Sequence, residues 1–374
     1  MDNYLTDWLK KIGFQIFILL IFTCSPGLDV IAGTSGENDY LLYNLNVHYG
    51  AMMPHHDLLA ILNEDRIKSF DLIAWFSHAN KEQTNNSILG AGYIFSNLGN
   101  YEVFGNMHAA YMGLLSPHLI NKIPVRFKIG LGAAYATKKH DRDNYLNSAI
   151  GSHLNAYGRL SFIGEIPVIE DKWILRPGIS FHHISNGIIV APNQGLNLLT
   201  FHAGLEFRSG QIHSGAMLIR REKKIRERNR FTFMVAPGIK QVHKSMEHQI
   251  FTSSLIFDYS YIYRLERSIG VGINFFYNDT WAHFPYRTTE QEERPVPFQS
   301  SVHLSLQRDQ GPISFILHPG LYIYKPSEET PVFTNRLGVK YSFRNNLLVQ
   351  FSIKHHWFAI ADYFEWGIGY ELNW

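Results

Sequence analysis

Read with a period of two, residues 363–374 place Phe364, Trp366, Ile368, Tyr370, Leu372 and Trp374 on one face of a strand. Glu365, Gly367, Gly369, Glu371 and Asn373 fall on the other. An alternating strand with aromatics on its apolar side and an aromatic last residue has the pattern of the closing strand of an outer-membrane β-barrel. Comparable segments recur from about residue 40 onward, separated by clusters of Asn, Gly, Asp, Pro and Lys. The clearest are 125–135, 150–162, 173–185, 198–207, 231–239, 251–263, 269–277, 302–306, 313–324, 337–343, 347–356 and 364–374. Weaker ones lie at 41–49, 67–76, 88–95 and 104–115. The pattern predicts an all-β chain: a single antiparallel transmembrane β-barrel over 31–374, with about 12–16 strands and an even count.

The alternation also assigns the faces. In 125–135, Val125, Phe127, Ile129, Leu131, Ala133 and Tyr135 oppose Arg126, Lys128, Gly130, Gly132 and Ala134. In a membrane barrel the apolar set meets lipid and the polar set the lumen, the inverse of a soluble sandwich or lipocalin-like barrel. Composition fits this solvent: aromatics are 14% and charged residues 18%, against about 25% charged for an average soluble chain. A net charge of +2 gives no footprint for nucleic acid. The one basic block, Arg220 to Arg230, reads as a solvated turn near the membrane surface, with anionic headgroups as the alternative contact.

No apolar run in the body of the chain is long enough for a helical span. At the start, Lys10 and Lys11 precede an apolar stretch from Ile12 to Phe22, the size of a signal-peptide core. Residues 1–30 are therefore expected to be a signal peptide and N-terminal segment. The single cysteine, Cys24, belongs to it, so no disulfide is expected.

One strand departs from its own pattern. The lipid-facing register Trp173, Leu175, Pro177, Ile179, Phe181 continues into His183 and Ser185, where polar groups are costly without a reason. Two apart on a strand, their side chains project side by side, about 7 Å between Cα atoms, and imidazole beside hydroxyl is the core of nucleophilic acyl transfer. The next strand places Asn197 on the same face, within reach of the histidine in a hairpin.

His183-x-Ser185-Asn186-Gly187 followed by Pro192-Asn193-x-Gly195-x-Asn197 resembles the motif of the PagL-type outer-membrane lipid A 3-O-deacylases, or acyloxyacyl hydrolases. Gly130-x-Gly132-x-x-Tyr135 and Asn147-x-x-Ile150-Gly151-Ser152 precede it in order. The resemblance is specific over about 125–208, and the chain looks like a long, Bacteroidetes-like version of the family. It implies Ser185 as nucleophile, His183 as general base and Asn186 as oxyanion donor, acting on lipid A of lipopolysaccharide in the outer membrane without metal or organic cofactor. The family's acid position falls on Asn197, where the family carries Glu; an Asn still accepts an imidazole N–H and fixes its tautomer, with less stabilisation of imidazolium.

The group His355, His356, Asp362 and Glu365 lacks ligand spacing and reads as a lumenal hydrogen-bond plug rather than a metal site. Pro54-His55-His56-Asp57 reads as a surface connection, or else a contact to the substrate headgroup. Two readings compete with the deacylase: a porin or transport barrel, discriminated by how full the lumen is, and a family member weakened in catalysis by Asn197.

Overall fold

The structure, a computed structural model, describes residues 39–78, 87–120, 123–169, 172–209, 227–246, 248–264, 267–280, 297–325, 330–357 and 360–374. The expected signal peptide with Cys24, and most of the basic block, lie outside them. The described chain forms β1 (Asp39–Met52), the short helix α1 (Asp57–Ile61), β2 (Ile67–His78), β3 (Ile88–Asn97), β4 (Asn106–Ile120), β5 (Ile123–Ala136), β6 (Leu154–Gly164), β7 (Ile166–Ile169), β8 (Trp173–Ser185) and β9 (Leu196–Arg208). It continues as β10 (Asn229–Lys240), β11 (Ile250–Arg264), β12 (Arg267–Asn278), β13 (Phe298–Gln310), β14 (Ile313–Tyr324), β15 (Phe333–Ser342), β16 (Leu347–His356) and β17 (Ile360–Asn373).

These strands close into two rings, not one. In the first, antiparallel pairing runs β1–β2–β3–β4–β5–β6–β8–β9 and returns to β1. β7 resumes the line of β6 against the start of β8. The break between them is Glu165, whose carboxylate is taken by Arg126 at 3.0 Å, Arg176 at 2.7 Å and His118 at 2.7 Å. The second ring is β10 to β17, closed by β10 on β17. The expected single barrel of 12–16 strands is thus replaced by two compact units with an eight-strand ring each. The physical reason is that alternation reports which face of a strand meets lipid and carries no information about which strand closes on which.

In both rings the faces follow the sequence. On β9, Phe201 is 67% exposed between Thr200 at 0% and His202 at 5%; on β17, Trp366, Ile368, Tyr370 and Leu372 are exposed while Glu365 and Glu371 are buried. Strands of 10 to 15 residues, at about 3.4 Å per residue and tilted, cross an apolar belt about 25 Å tall.

An eight-strand ring is only wide enough for its own side chains, and both interiors are filled by neutralised charge. In the first, Asp71 accepts from Arg159 at 2.6 Å, Asn46 at 2.9 Å and the Tyr111 hydroxyl at 2.5 Å, with Lys128 Nζ 3.7 Å away. In the second, Arg230 bridges Asp309 and Glu371, Arg336 holds Glu365, and Asp362 pairs with Lys240 and Lys354. Of the group expected to plug the lumen, His356 approaches Asp362 at 3.4 Å and Glu365 pairs instead with Arg336. Arg230, the end of the basic block, is one of these lumenal ion-pairers. The filled interiors weigh against a conducting porin.

Asp71→Ala in the full chain strands Arg159 and Lys128 without a counter-charge. It should destabilise the first ring by about 3–5 kcal/mol, lowering the urea midpoint of the folded, heat-modifiable form. Phe201→Ala, a lipid-facing truncation, should move that midpoint much less.

Candidate active site

The outward register of β8 ends on His183 and Ser185, with His182 turned inward at 1% exposure. Antiparallel pairing sets His183 opposite Asn197 of β9 on one side and Gly158 of β6 on the other, and Ser185 opposite Ala156. The structure therefore brings the expected Ser185, His183 and Asn197 together on the outer wall, at the end of the ring that carries the connections 53–66, 137–153 and 186–195.

His183 Nδ1 lies 2.7 Å from Asn197 Oδ1. A carboxamide oxygen only accepts, so His183 carries its proton on Nδ1 and keeps the Nε2 lone pair for proton abstraction. Asn193 Nδ2 donates to Ser185 Oγ at 2.8 Å, a bond the hydroxyl oxygen accepts through a lone pair. Asn193 Oδ1 in turn accepts from the backbone N–H of Asn186 at 3.0 Å, which fixes which end of the amide faces the serine.

Asn186 itself is 1% exposed and committed to the loop. Its side-chain Nδ2 donates to Ser152 Oγ at 3.0 Å and to the Val190 carbonyl at 2.8 Å. With the backbone N–H given to Asn193, every N–H of Asn186 is engaged, whereas Asn193 points a donor at Ser185 Oγ. Asn193 belongs to the motif, but spacing alone gives it no role, because it does not show that Asn193 reaches back to Ser185.

Two glycines make that fold-back possible. A Cβ on Gly151 would stand 2.4 Å from the Val190 carbonyl oxygen and 2.5 Å from that of Pro192, so only glycine lets the loop rest on residue 151. Gly195 has φ +73°, and a Cβ there would lie 3.0 Å from His183 Cε1 and 3.4 Å from Ser185 Cβ. The imidazole edge and the serine thus flank a single point.

His55, in the connection after β1, also reaches the site. Asn197 Nδ2 is 3.3 Å from His55 Nδ1, and His55 Nε2 is 3.0 Å from the Gln194 carbonyl oxygen. Its neighbour His56 precedes α1 and Asp57 opens it, both exposed. Beside Ser185 the lipid face is low: Ala156, Ala133 and Ala110 are paired in a row across β6, β5 and β4.

Among the described residues, one group has the composition of a metal site: Asp258, His303 and His318, in the second ring, with ligand atoms within 4.8 Å of one another. Its hydrogen bonds oppose that use. Arg336 Nη1 donates to Asn274 Oδ1 at 2.9 Å, which turns Asn274 Nδ2 toward His303 Nδ1, also at 2.9 Å. Nδ1 is therefore an acceptor, and the ring proton sits on Nε2, donated to Asp258 at 3.1 Å. A neutral histidine that ligates through Nε2 must instead donate from Nδ1.

Comparison with known proteins gives two adjoining matches. Residues 72–206 match the family model described as lipid A 3-O-deacylase (PagL), and residues 229–374 match the acyloxyacyl hydrolase C-terminal domain. No curated protein matches the sequence. Among solved structures, the Neisserial surface protein A is similar at 11% identity over 46% of this chain and 99% of its own, with a TM-score of 0.29. OccK11 (OpdR) of Pseudomonas aeruginosa is similar at 11% identity over 90% of this chain and 96% of its own, with a TM-score of 0.24.

Gly195→Ala should impose a left-handed conformation that costs an L-residue about 1–2 kcal/mol and press a methyl on the His183 ring. Labelling of Ser185 by a fluorophosphonate should slow by about tenfold, while the folded, heat-modifiable band on a gel stays in place.

Proposed function

The chain belongs to the PagL type of lipid A 3-O-deacylases, and from that premise we propose that Ser185 is the nucleophile of a cofactor-independent serine esterase removing an ester-linked acyl chain from lipid A at the outer wall of the first ring. The enzyme class, a hydrolase acting on a carboxylic ester of lipid A, comes with the family. Family and barrel together point to the bacterial outer membrane. The mechanism is our reading, and the observation that carries it is the His183–Asn197 bond, which leaves the basic nitrogen of the imidazole on the side away from Asn197.

In this reading His183 Nε2 takes the Ser185 hydroxyl proton as Oγ attacks the ester carbonyl carbon. The negative charge that develops on the carbonyl oxygen needs donors already in place. Asn186 was expected to supply one; because its N–H groups are engaged within the loop, we assign the donor to the Asn193 amide and give Asn186 the part of holding Asn193. The tetrahedral intermediate collapses, His183 returns the proton to the departing sugar hydroxyl, and an acyl-serine remains. Water, giving a proton to the same nitrogen, attacks the acyl carbonyl; the acyl–Oγ bond breaks, the proton passes from His183 to Ser185 Oγ, and the fatty acid leaves.

Position supports the substrate. Long connections mark the extracellular end of outer-membrane barrels and short turns the periplasmic end; the site lies at the end with the long connections, facing the leaflet that holds lipopolysaccharide. The alanine row beside Ser185 offers an acyl chain a shallow seat on the barrel wall, so the lipid need not leave the membrane.

Ser185→Ala should lower lipid A deacylation by about a thousandfold or more, and His183→Ala by a similar factor, because the two groups act as a unit. Mass spectrometry of lipid A from cells expressing each variant checks this; wild-type deacylation in Ser185→Ala would move the activity to another nucleophile. Asn197→Glu should raise kcat by about tenfold, since a charged acceptor is worth roughly 1–2 kcal/mol more than a neutral one toward imidazolium. Steady-state kinetics in detergent measures that change, and an unchanged or lowered kcat would show that the amide is not limiting.

A further inference from the structure

We propose that His55 is a positioning residue of the active site, holding the Asn197 amide with its oxygen toward His183. The inference rests on the serine-esterase reading above and extends it to a fourth side chain, from a connection that carries no part of the motif.

A carboxylate at position 197 would need no such help, because both of its oxygens accept. A carboxamide has two unlike ends, and rotating it by half a turn would present N–H groups to His183 Nδ1. That nitrogen would then have to accept, its proton would move to Nε2, and the base would be lost. Something must therefore distinguish the two orientations, and the hydrogen bonds identify it. The Gln194 carbonyl oxygen is solely an acceptor, so His55 Nε2, 3.0 Å away, carries a proton. In the neutral ring His55 Nδ1 is then an acceptor, and it faces Asn197 Nδ2 at 3.3 Å. The sequence Gln194 carbonyl, His55, Asn197, His183 is thus a chain in which each donor and acceptor is set by the one before. Backbone pairing anchors both ends: Met53 N–H donates to the Asn197 carbonyl oxygen at 2.7 Å, and Gln194 N–H to the Ser148 carbonyl oxygen at 3.2 Å. Ser148 Oγ also donates to the Gln194 side chain at 2.8 Å. A hydrogen-bond acceptor on the amide nitrogen polarises the amide and enriches Asn197 Oδ1 in charge, which offsets part of what the missing carboxylate would give to imidazolium.

The test uses the full chain in detergent, with two readouts. In protein carrying ¹⁵N-labelled histidine, the His183 signals, assigned by difference from a His183→Gln sample, should show Nδ1 protonated and Nε2 bare. His55→Ala should shift them toward the other tautomer. On lipid A, His55→Ala should lower kcat by about fivefold with KM unmoved, the effect of one modest hydrogen bond. His55→Gln, whose side-chain oxygen can accept, should recover most of the loss. In an Asn197→Glu background the same His55→Ala change should matter by less than about twofold, because the coupling partner is gone.

An unshifted His183 tautomer in His55→Ala, or an equal loss in both backgrounds, would overturn the proposal and reduce His55 to a loop-packing residue. If the tautomer shifts while no variant, the native chain included, deacylates lipid A, the positioning role stands and the esterase reading fails. Deacylation with an unmoved tautomer gives the converse.

Discussion

A sheet that lies in hydrocarbon has no water to satisfy the N–H and C=O groups along its edge, and each unsatisfied group costs several kcal/mol. Closure is therefore the constraint on which everything else in this chain depends. It is met twice, by β1 against β9 and by β10 against β17. Once a ring is closed at eight strands, its interior has room for side chains and little else, so the polar face of every strand must be neutralised pairwise. Asp71 with Arg159 and Lys128, and Glu371 with Arg230 and Lys340, are that neutralisation. With the inside filled, chemistry on a lipid is left to the outside, and the outward register of β8 and β9 is where His183, Ser185 and Asn197 stand.

The proposed site differs from the usual serine triad in having no charge at its third member, Asn197. A carboxylate orients a histidine and stabilises its cation together; an amide does the first well and the second weakly. Separating the two tasks shows in the geometry. Orientation comes from a short 2.7 Å contact between His183 and Asn197 and from His55 behind it, while the serine is held from the other side by Asn193 at 2.8 Å. Glycines at 151 and 195 let the 186–195 loop lie close enough to supply that asparagine.

The faces of the strands were legible in the sequence because lipid imposes a strict period of two. Phe201 outward and His202 inward follow from alternation alone, as do His183 outward and His182 inward. Ring closure was not legible, since it depends on pairing between strands far apart in the chain. The one compositional break near the boundary, the basic block from Arg220, read as a surface turn. In fact its last residue, Arg230, lies inside β10 with two carboxylates. That Ser185, His183 and Asn197 lie together was legible because they share one hairpin. His55 was singled out only as part of a histidine-rich connection; its link to Asn197 runs through the β1–β9 register, where Met52 pairs with Leu198, and no local pattern reports that. For Asn186 and Asn193, the motif gives their order, and only the folded loop shows which of them faces the serine.

The central claim is that an acyl group passes through Ser185. Rapid acid quench of the purified barrel during its first turnovers on lipid A, followed by digestion and mass spectrometry, tests it most directly. The account predicts a peptide containing Ser185 heavier by one acyl group in the native chain, and none in Ser185→Ala. Fatty acid released at full rate with no acylated peptide, or with the acyl group on a different residue, would contradict it.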